Sequence, residues 1–310
     1  MAWGLILSTL AMLMSSPALA QSDRVVSKAE DKQLGFIEAA SPVMEEIAEF
    51  HDLLLIIITI ITIFVFLLLF WVMVRYNARR NPNPSKTSHN TLIEVIWTGV
   101  PIIILVVIFF PSMKLLYLQD EIPEADIVIQ ATGHQWYWSY QYPDHGGIEF
   151  DSIMLPVEYW DEDRGPEVEA QRQAAVADIS AMLGGREIAE IERLLDTDTR
   201  VVVPINKVVK VLVTASDVIH SWTIPAFGFK IDAVPGRFNE TWFKATELGT
   251  FYGQCSELCG IRHAFMPIVV EVVTEEEFAA WVARAQEAYA DAAPARRVQL
   301  ADAGAATSNK

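Results

Sequence analysis

Both cysteines of this 310-residue chain fall within one twelve-residue stretch, residues 255–266. Cys255 and Cys259 stand four positions apart, His263 follows four further on, and Met266 three beyond that. Thiolate, imidazole and thioether together form a donor set that suits copper, because soft sulfur holds Cu(I) and imidazole accepts either oxidation state. A mononuclear blue-copper site needs one Cys, two His and a weak Met. The second Cys hints at two metal ions sharing two thiolates. His220, which ends the run 214–219, is a further donor expected at the same end of the fold. Two other chemistries compete for these residues. Paired cysteines in an exported domain commonly close a disulfide, and Cys₂His₂ suits structural zinc. A disulfide needs neither His nor Met beside it, and zinc leaves Met266 without a role. Copper uses every one.

The elements that must position these donors follow a membrane-to-sandwich order. Residues 1–20 read as a signal peptide, with an apolar run at 5–14 and the cleavage signature Ala18-Leu19-Ala20 before Gln21, although no Lys or Arg precedes the run. Residues 21–51 are polar and acidic with no strong fold signal, except that Ser41-Pro42 reads as a helix cap with Glu45 and Glu46 in the first turn. Residues 53–74 hold no charge, which is long enough to span a bilayer core. Arg75, Arg79, Arg80 and Lys86 follow with no acid before Glu94, so the positive-inside tendency makes this loop cytoplasmic. A second span covers about 95–118, interrupted by Pro101, Pro111 and Lys114, with Trp71, Tyr76 and Tyr117 as interfacial anchors. Everything after Gln119 is then exported. Glu94, at the cytoplasmic start of the second span, is either a helix-dipole partner or a functional carboxylate.

The exported part carries about seven short strand patterns, at 126–132, 134–142, 200–204, 207–214, 237–243, 250–254 and 268–273. Their spacing and turn signals indicate a β-sandwich. Residues 136–142 contain two Trp and three Tyr, more than one buried face needs, so at least one ring is expected to be exposed as a binding surface. Between strands, 161–195 reads as a helical excursion: one helix over 167–183 and a second, shorter one with Ile188, Ile191 and Leu195 on one face. A last helix opens on Thr274 with Glu277 three residues on, a capping box. The tail, 291–310, is Ala-rich and polar and reads as disordered. The net charge of −17 argues against nucleic acid or an anionic lipid surface as partner. Residues 119–310 hold 31 acidic and 15 basic side chains, a net of −16, so the acidity belongs to the exported part and could steer a basic partner.

Residues 220–227 (HSWTIPAF) and 253–267 (GQCSELCGIRHAFMP) resemble the copper-binding motifs of cytochrome c oxidase subunit II. Residues 133–140 (GHQWYWSY) are similar to that family's aromatic segment, and 93–98 (IEVIWT) with 111–117 (PSMKLLY) to its second membrane helix. The resemblance runs from about Asp52 to Trp281 apart from the excursion. It implies a two-helix transmembrane hairpin followed by an all-β cupredoxin-like sandwich with a helical insertion and a C-terminal helix. The implied parts are a signal peptide (1–20), an N-terminal segment with the hairpin (21–118) and an exported copper domain (119–290). It further implies a dinuclear copper centre, CuA. Cys255 and Cys259 would bridge both ions; His220 and Met266 would complete one, and His263 and the Glu257 carbonyl the other. The Glu257 carboxylate would serve a magnesium or manganese ion at the boundary with subunit I, as a hard ion prefers.

By the same resemblance Trp136 is where cytochrome c delivers its electron, and Glu94 lies at the mouth of the proton pathway called K. Asp217, with Glu149, Asp151 and Asp198, would form the acidic docking surface. The implied setting is a respiratory aa3-type oxidase of the bacterial inner membrane, with the copper domain facing the periplasm and subunits I and III as partners. Haems a and a3 and CuB would reside in subunit I, where oxygen is reduced to water with proton translocation. The sequence departs from the family at Gln141, where an acid is common, at Arg262, where Asn is common, and in its longer excursion. Three rivals remain for comparison. A quinol oxidase subunit II lacks the copper ligands, and the copper domain of nitrous oxide reductase lacks the hairpin. An exported copper-binding electron-transfer or copper-delivery protein needs neither Trp136 nor Glu94.

Overall fold

The computed structural model describes residues 24–188 and 191–289. The expected signal peptide (1–20) and tail (291–310) lie outside the described residues. Two helices, α1 (Pro42–Arg75) and α2 (Thr91–Asp120), are long and apolar enough to cross a membrane, and their apolar windows are not covered by the other described residues. Pro101 and Pro111 lie inside α2 without ending it. Because the chain crosses twice, the loop between the helices lies on the side opposite the β-rich part.

Helix α1 begins well before its apolar span and is rooted in the folded part beyond the membrane. Ser41 caps it by accepting from the Met44 N–H at 3.1 Å, while the Ser41 hydroxyl donates to the Phe227 carbonyl at 2.7 Å. The backbone on either side is tied as well, Ala40 N–H to the Ala226 carbonyl and Thr246 N–H to the Ala40 carbonyl. Lys114 of α2 pairs with Glu46 of α1 at 2.5 Å near the same end.

Eleven strands are found among the described residues. One sheet has the order β1 (Val25–Ser27), β10 (Gly249–Gln254), β11 (Pro267–Val273), β5 (Val201–Pro204). The other runs β4 (Ile148–Ser152), β3 (Tyr137–Tyr142), β2 (Ile127–His134), β6 (Val209–Ala215), β9 (Asn239–Phe243). A hairpin of β7 (His220–Ile224) and β8 (Phe229–Ala233) closes one end. The interior is aromatic: Trp138, Tyr140, Tyr142, Trp222, Phe227, Phe243 and Phe251 are buried in one cluster, with Phe227 stacked on Phe243 at 4.7 Å. This is the cupredoxin-like sandwich, followed by helix α4 (Glu275–Ala288), whose Thr274–Glu277 capping box forms as the spacing predicts.

Four strands go beyond the sequence reading: β1, β4, β7 and β8. Strand β1 arises from the segment without a fold signal and runs parallel to β10, Val25 opposite Gly249. The chains approach so closely there that a Cβ on Gly249 would sit 2.0 Å from the Val25 carbonyl oxygen. The excursion contains helix α3 (Pro166–Met182), but its second helix is not formed by the described residues. Residues 191–195 instead make a single turn closed by Asp196, whose carboxylate accepts the Glu192 N–H at 2.7 Å. Ile191 still points inward, joining Leu155, Tyr159 and Ile179 in a small separate core. Asp196 is then free to meet Arg200 at 2.6 Å, and Arg200 meets Glu271 at 3.0 Å, all three buried. A buried acid that serves a buried arginine pulls the chain out of the helix that local periodicity favours.

Candidate metal centre

Strands β10 and β11 pair up to Gln254 opposite Pro267, so the twelve residues between them must fold back on themselves. Cys255 N–H donates to the Met266 carbonyl at 3.3 Å, closing the base of the loop. Ser256 N–H donates to the Ser221 carbonyl at 3.0 Å, which pins the loop to β7 and brings His220 to it. A turn at His263–Phe265 then points His263 back toward the cysteines.

The donors converge. The two sulfurs lie 3.8 Å apart as free thiols, so the residues do not form the disulfide that two exported cysteines could. Cys255 Sγ is 3.9 Å from His220 Nδ1 and 3.3 Å from the Glu257 carbonyl oxygen. Cys259 Sγ is 3.5 Å from both His263 Nδ1 and Met266 Sδ. The ligand atoms of His220, Cys255 and Cys259 lie within 4.8 Å of one another, a span that bonds of ~2.0–2.3 Å to a shared ion nearly bridge. His220, Cys255, Cys259 and Met266 are buried, and His263 is half-buried. Soft sulfur and imidazole held together in this way fit copper, and Met266 Sδ lies against Cys259 Sγ with the other donors.

Electrostatics make the pair receptive to a cation. Burial opposes ionisation of Cys255, but its contacts with His220 and the surrounding backbone outweigh that and hold its thiol below the ordinary value. Burial and the neighbouring Cys255 push Cys259 the other way. Two adjacent thiols of this kind hold back at least one proton until a metal ion replaces it. His220 Nε2 donates to Asp217 Oδ1 at 2.9 Å, which fixes the tautomer that leaves Nδ1 directed at Cys255. Burial raises the Asp217 pKa, and the bonds from His220, Val218 N–H and Gln135 N–H more than reverse that, so it is lowered overall.

Trp136 lies against this loop. Its indole Nε1 donates to the Cys259 carbonyl at 3.3 Å, and the Gln135 side chain donates to the same oxygen at 2.8 Å. The ring is half-buried, and so is that of Tyr137, while the other three rings of 136–142 are buried, so the exposed ring expected of this segment is not found: the surplus aromatics pack inward instead. Behind it, Trp138 is fully buried, donates to the Met266 carbonyl at 3.3 Å and meets His220 edge-on at 5.9 Å. Gly133 is required: a Cβ there would lie 2.8 Å from His220 Cδ2.

The other sequence candidates fall elsewhere. The Glu257 side chain is exposed beside Leu258 and Ile261, which are 78% and 90% exposed. Glu149 and Asp151 sit on β4, where Asp151 accepts from Ser139 Oγ at 2.5 Å. Asp198 Oδ1 holds a turn by accepting the Ile153 and Thr199 N–H groups at 2.8 and 2.7 Å. Glu94 lies at the first turn of α2 and accepts the Asn90 N–H at 3.1 Å, on the far side of the membrane span from the thiols. Sequence reading missed Gly133, Gln135 and the grip of Asp217 on His220. An acid three residues before a ligand histidine was the available signal.

The family model for the periplasmic domain of cytochrome C oxidase subunit II matches residues 127–183 and 169–273, and that for its transmembrane domain matches 29–115. The chain is 52% identical over 251 residues to a probable cytochrome c oxidase subunit 2 of Rickettsia bellii, covering 81% of this chain and 83% of the relative. The chain belongs to the cytochrome c oxidase subunit II family. The subunit 2 of Cereibacter sphaeroides is 47% identical over 274 residues, covering 88% of this chain and 86% of that one. Among solved structures, the periplasmic domain of subunit II (CoxB) of Bradyrhizobium japonicum is 50% identical, covering 55% of this chain and 99% of that chain, with a TM-score of 0.42. The two stretches matched by the periplasmic model overlap at 169–183, which is most of α3 and its C-cap Leu183. This is therefore a membrane protein with a copper-binding periplasmic domain, a subunit of a haem-copper oxidase.

Proposed function

We propose that this chain is the electron-accepting subunit II of an aa3-type cytochrome c oxidase in a bacterial inner membrane, after removal of residues 1–20. Bound copper would supply a one-electron carrier whose charge is spread over two ions. The observation that carries this reading is the convergence of two thiols, two imidazoles, a thioether and a carbonyl where the 255–266 loop meets His220 of β7. Cys255 and Cys259 would bridge two ions, with His220, Met266, His263 and the Glu257 carbonyl completing them. The stiff aromatic interior and the pairing of β10 with β11 hold these donors still, which keeps rearrangement on reduction small.

The remaining residues take roles that their positions support. Trp136 joins the surface to the Cys259 carbonyl through one hydrogen bond, a short route for an electron arriving from cytochrome c. Asp217 accepts the N–H of Gln135, the residue before that tryptophan, and presents negative charge to a basic donor. Glu149, Asp151 and Asp198 extend the acidic surface, although Asp151 and Asp198 also hold structural hydrogen bonds. The exposed Glu257 carboxylate would offer oxygen to a magnesium or manganese ion shared with subunit I. Glu94, at the opposite membrane face, would begin a proton path into subunit I, where haem a receives the electron and oxygen is reduced; subunit III completes the expected complex.

The test is electron transfer from reduced cytochrome c to the assembled oxidase carrying Trp136→Ala. Uptake slows by at least about tenfold, while the copper spectrum is unchanged. An altered copper spectrum would make Trp136 a packing residue, and unchanged uptake would move the electron path elsewhere.

A further inference from the structure

The loop joining the two membrane helices carries a basic concavity that electron transfer does not use. It is lined by Met73, Val74, Asn77, Ala78, Arg79 and Arg80. Asn77 builds it. Its Oδ1 accepts the Arg79 and Arg80 N–H groups, both at 3.1 Å, and its Nδ2 donates to the Val74 carbonyl at 2.9 Å. This turn stops α1 and sets two consecutive arginines at the edge of the span. Arg80 Nη1 reaches back to the Val74 carbonyl at 3.4 Å, and the Arg75 guanidinium covers the Tyr76 ring at 5.6 Å.

The opposite wall is apolar. Met73 and Val74 belong to the last turn of the spanning helix and are 64% and 40% exposed. No Asp or Glu occurs between Asp52 and Glu94, so the loop has no acid of its own. Glu94, on the adjoining helix, accepts its own cap N–H from Asn90. The net charge of −17 thus conceals a segregation, with acid on the copper side and uncompensated base at the hairpin turn. Guanidiniums at headgroup depth beside an apolar helix wall match an amphiphile with an anionic head.

We propose that this concavity binds the headgroup of an anionic phospholipid in the leaflet opposite the copper domain. Arg79 and Arg80 would take the phosphate, and an acyl chain would lie along Met73 and Val74. The test reconstitutes the full chain in phosphatidylcholine bilayers with trace spin-labelled phosphatidylglycerol or spin-labelled phosphatidylcholine. The motionally restricted fraction gives their relative association. Phosphatidylglycerol is preferred by the parent chain, and Arg79→Gln with Arg80→Gln lowers that preference about fivefold or more, ~1 kcal/mol being typical of one basic residue at the surface. Arg79→Lys with Arg80→Lys retains most of it, which separates lost charge from a disturbed turn. Lys86→Gln, outside the concavity, also retains most of it. An equal loss from Lys86→Gln would mean diffuse charge and overturn the site. So would absence of any preference in the parent, or displacement of the labelled lipid by inorganic phosphate at matched ionic strength.

Discussion

Replacing Gly133 by alanine places a methyl group 2.8, 2.9 and 3.0 Å from His220 Cδ2, Cγ and Cβ. The ring has little room to retreat, because His220 is 0% exposed, Trp138 meets it edge-on at 5.9 Å, and Asp217 holds its Nε2 at 2.9 Å. Alanine in place of glycine within a strand should by itself stabilise by about 0.4–1 kcal/mol through the unfolded chain. Overpacking a rigid site costs about 1–3 kcal/mol, so the clash wins. For a domain of this size each kcal/mol moves the midpoint by about 2–4 °C, giving a net fall of several degrees. The assay is thermal unfolding of the metal-free full chain in detergent, followed by copper titration. Gly133→Ala lowers the midpoint, weakens copper binding and changes the spectrum, because the ring is pushed off its line to Cys255. A variant matching the parent in midpoint and spectrum would refute the reasoning, since it would show that His220 can shift at no cost.

Arg200→Met strips the cation from Asp196 and leaves Glu271 only Arg186, with both carboxylates buried, and should cost about 3–5 kcal/mol in urea unfolding. A loss under about 1 kcal/mol would show that this network does not hold the insertion to the sheet. Glu277→Gln keeps the capping box and removes only the charge facing Arg24 at 2.6 Å. Burial raises the Glu277 pKa, but the Thr274 N–H and Arg24 outweigh it and hold the carboxyl below its ordinary value. The charge therefore stabilises above the unfolded pKa, and its contribution fades as pH falls through the folded one. The variant should be less stable than the parent at neutral pH and equal to it in strong acid; a gap that persists in acid would point to packing instead.

The copper loop was legible because four donors lie within twelve residues, where spacing alone restricts what they can do. The membrane hairpin was legible for a similar reason, since a long uncharged run has few alternatives in water. What stayed hidden depends on contacts between distant segments. Strand β1 is three residues long and exists only because Gly249 admits the Val25 backbone. Gly133 has no chemistry of its own, and its importance comes from a ring 87 positions further along the chain. Asp217 was read as a docking charge, whereas its carboxylate also grips His220, a role invisible without the turn between them. Ile188, Ile191 and Leu195 kept helical spacing, but Asp196 closes a turn there and turns toward Arg200.

The most direct test of the central claim is copper stoichiometry measured together with the electron paramagnetic resonance spectrum of the full chain. The account predicts two copper ions per chain and one unpaired electron shared between both nuclei, with the signal lost on replacing either Cys255 or Cys259. One copper per chain, or a spectrum localised on a single nucleus, would contradict it.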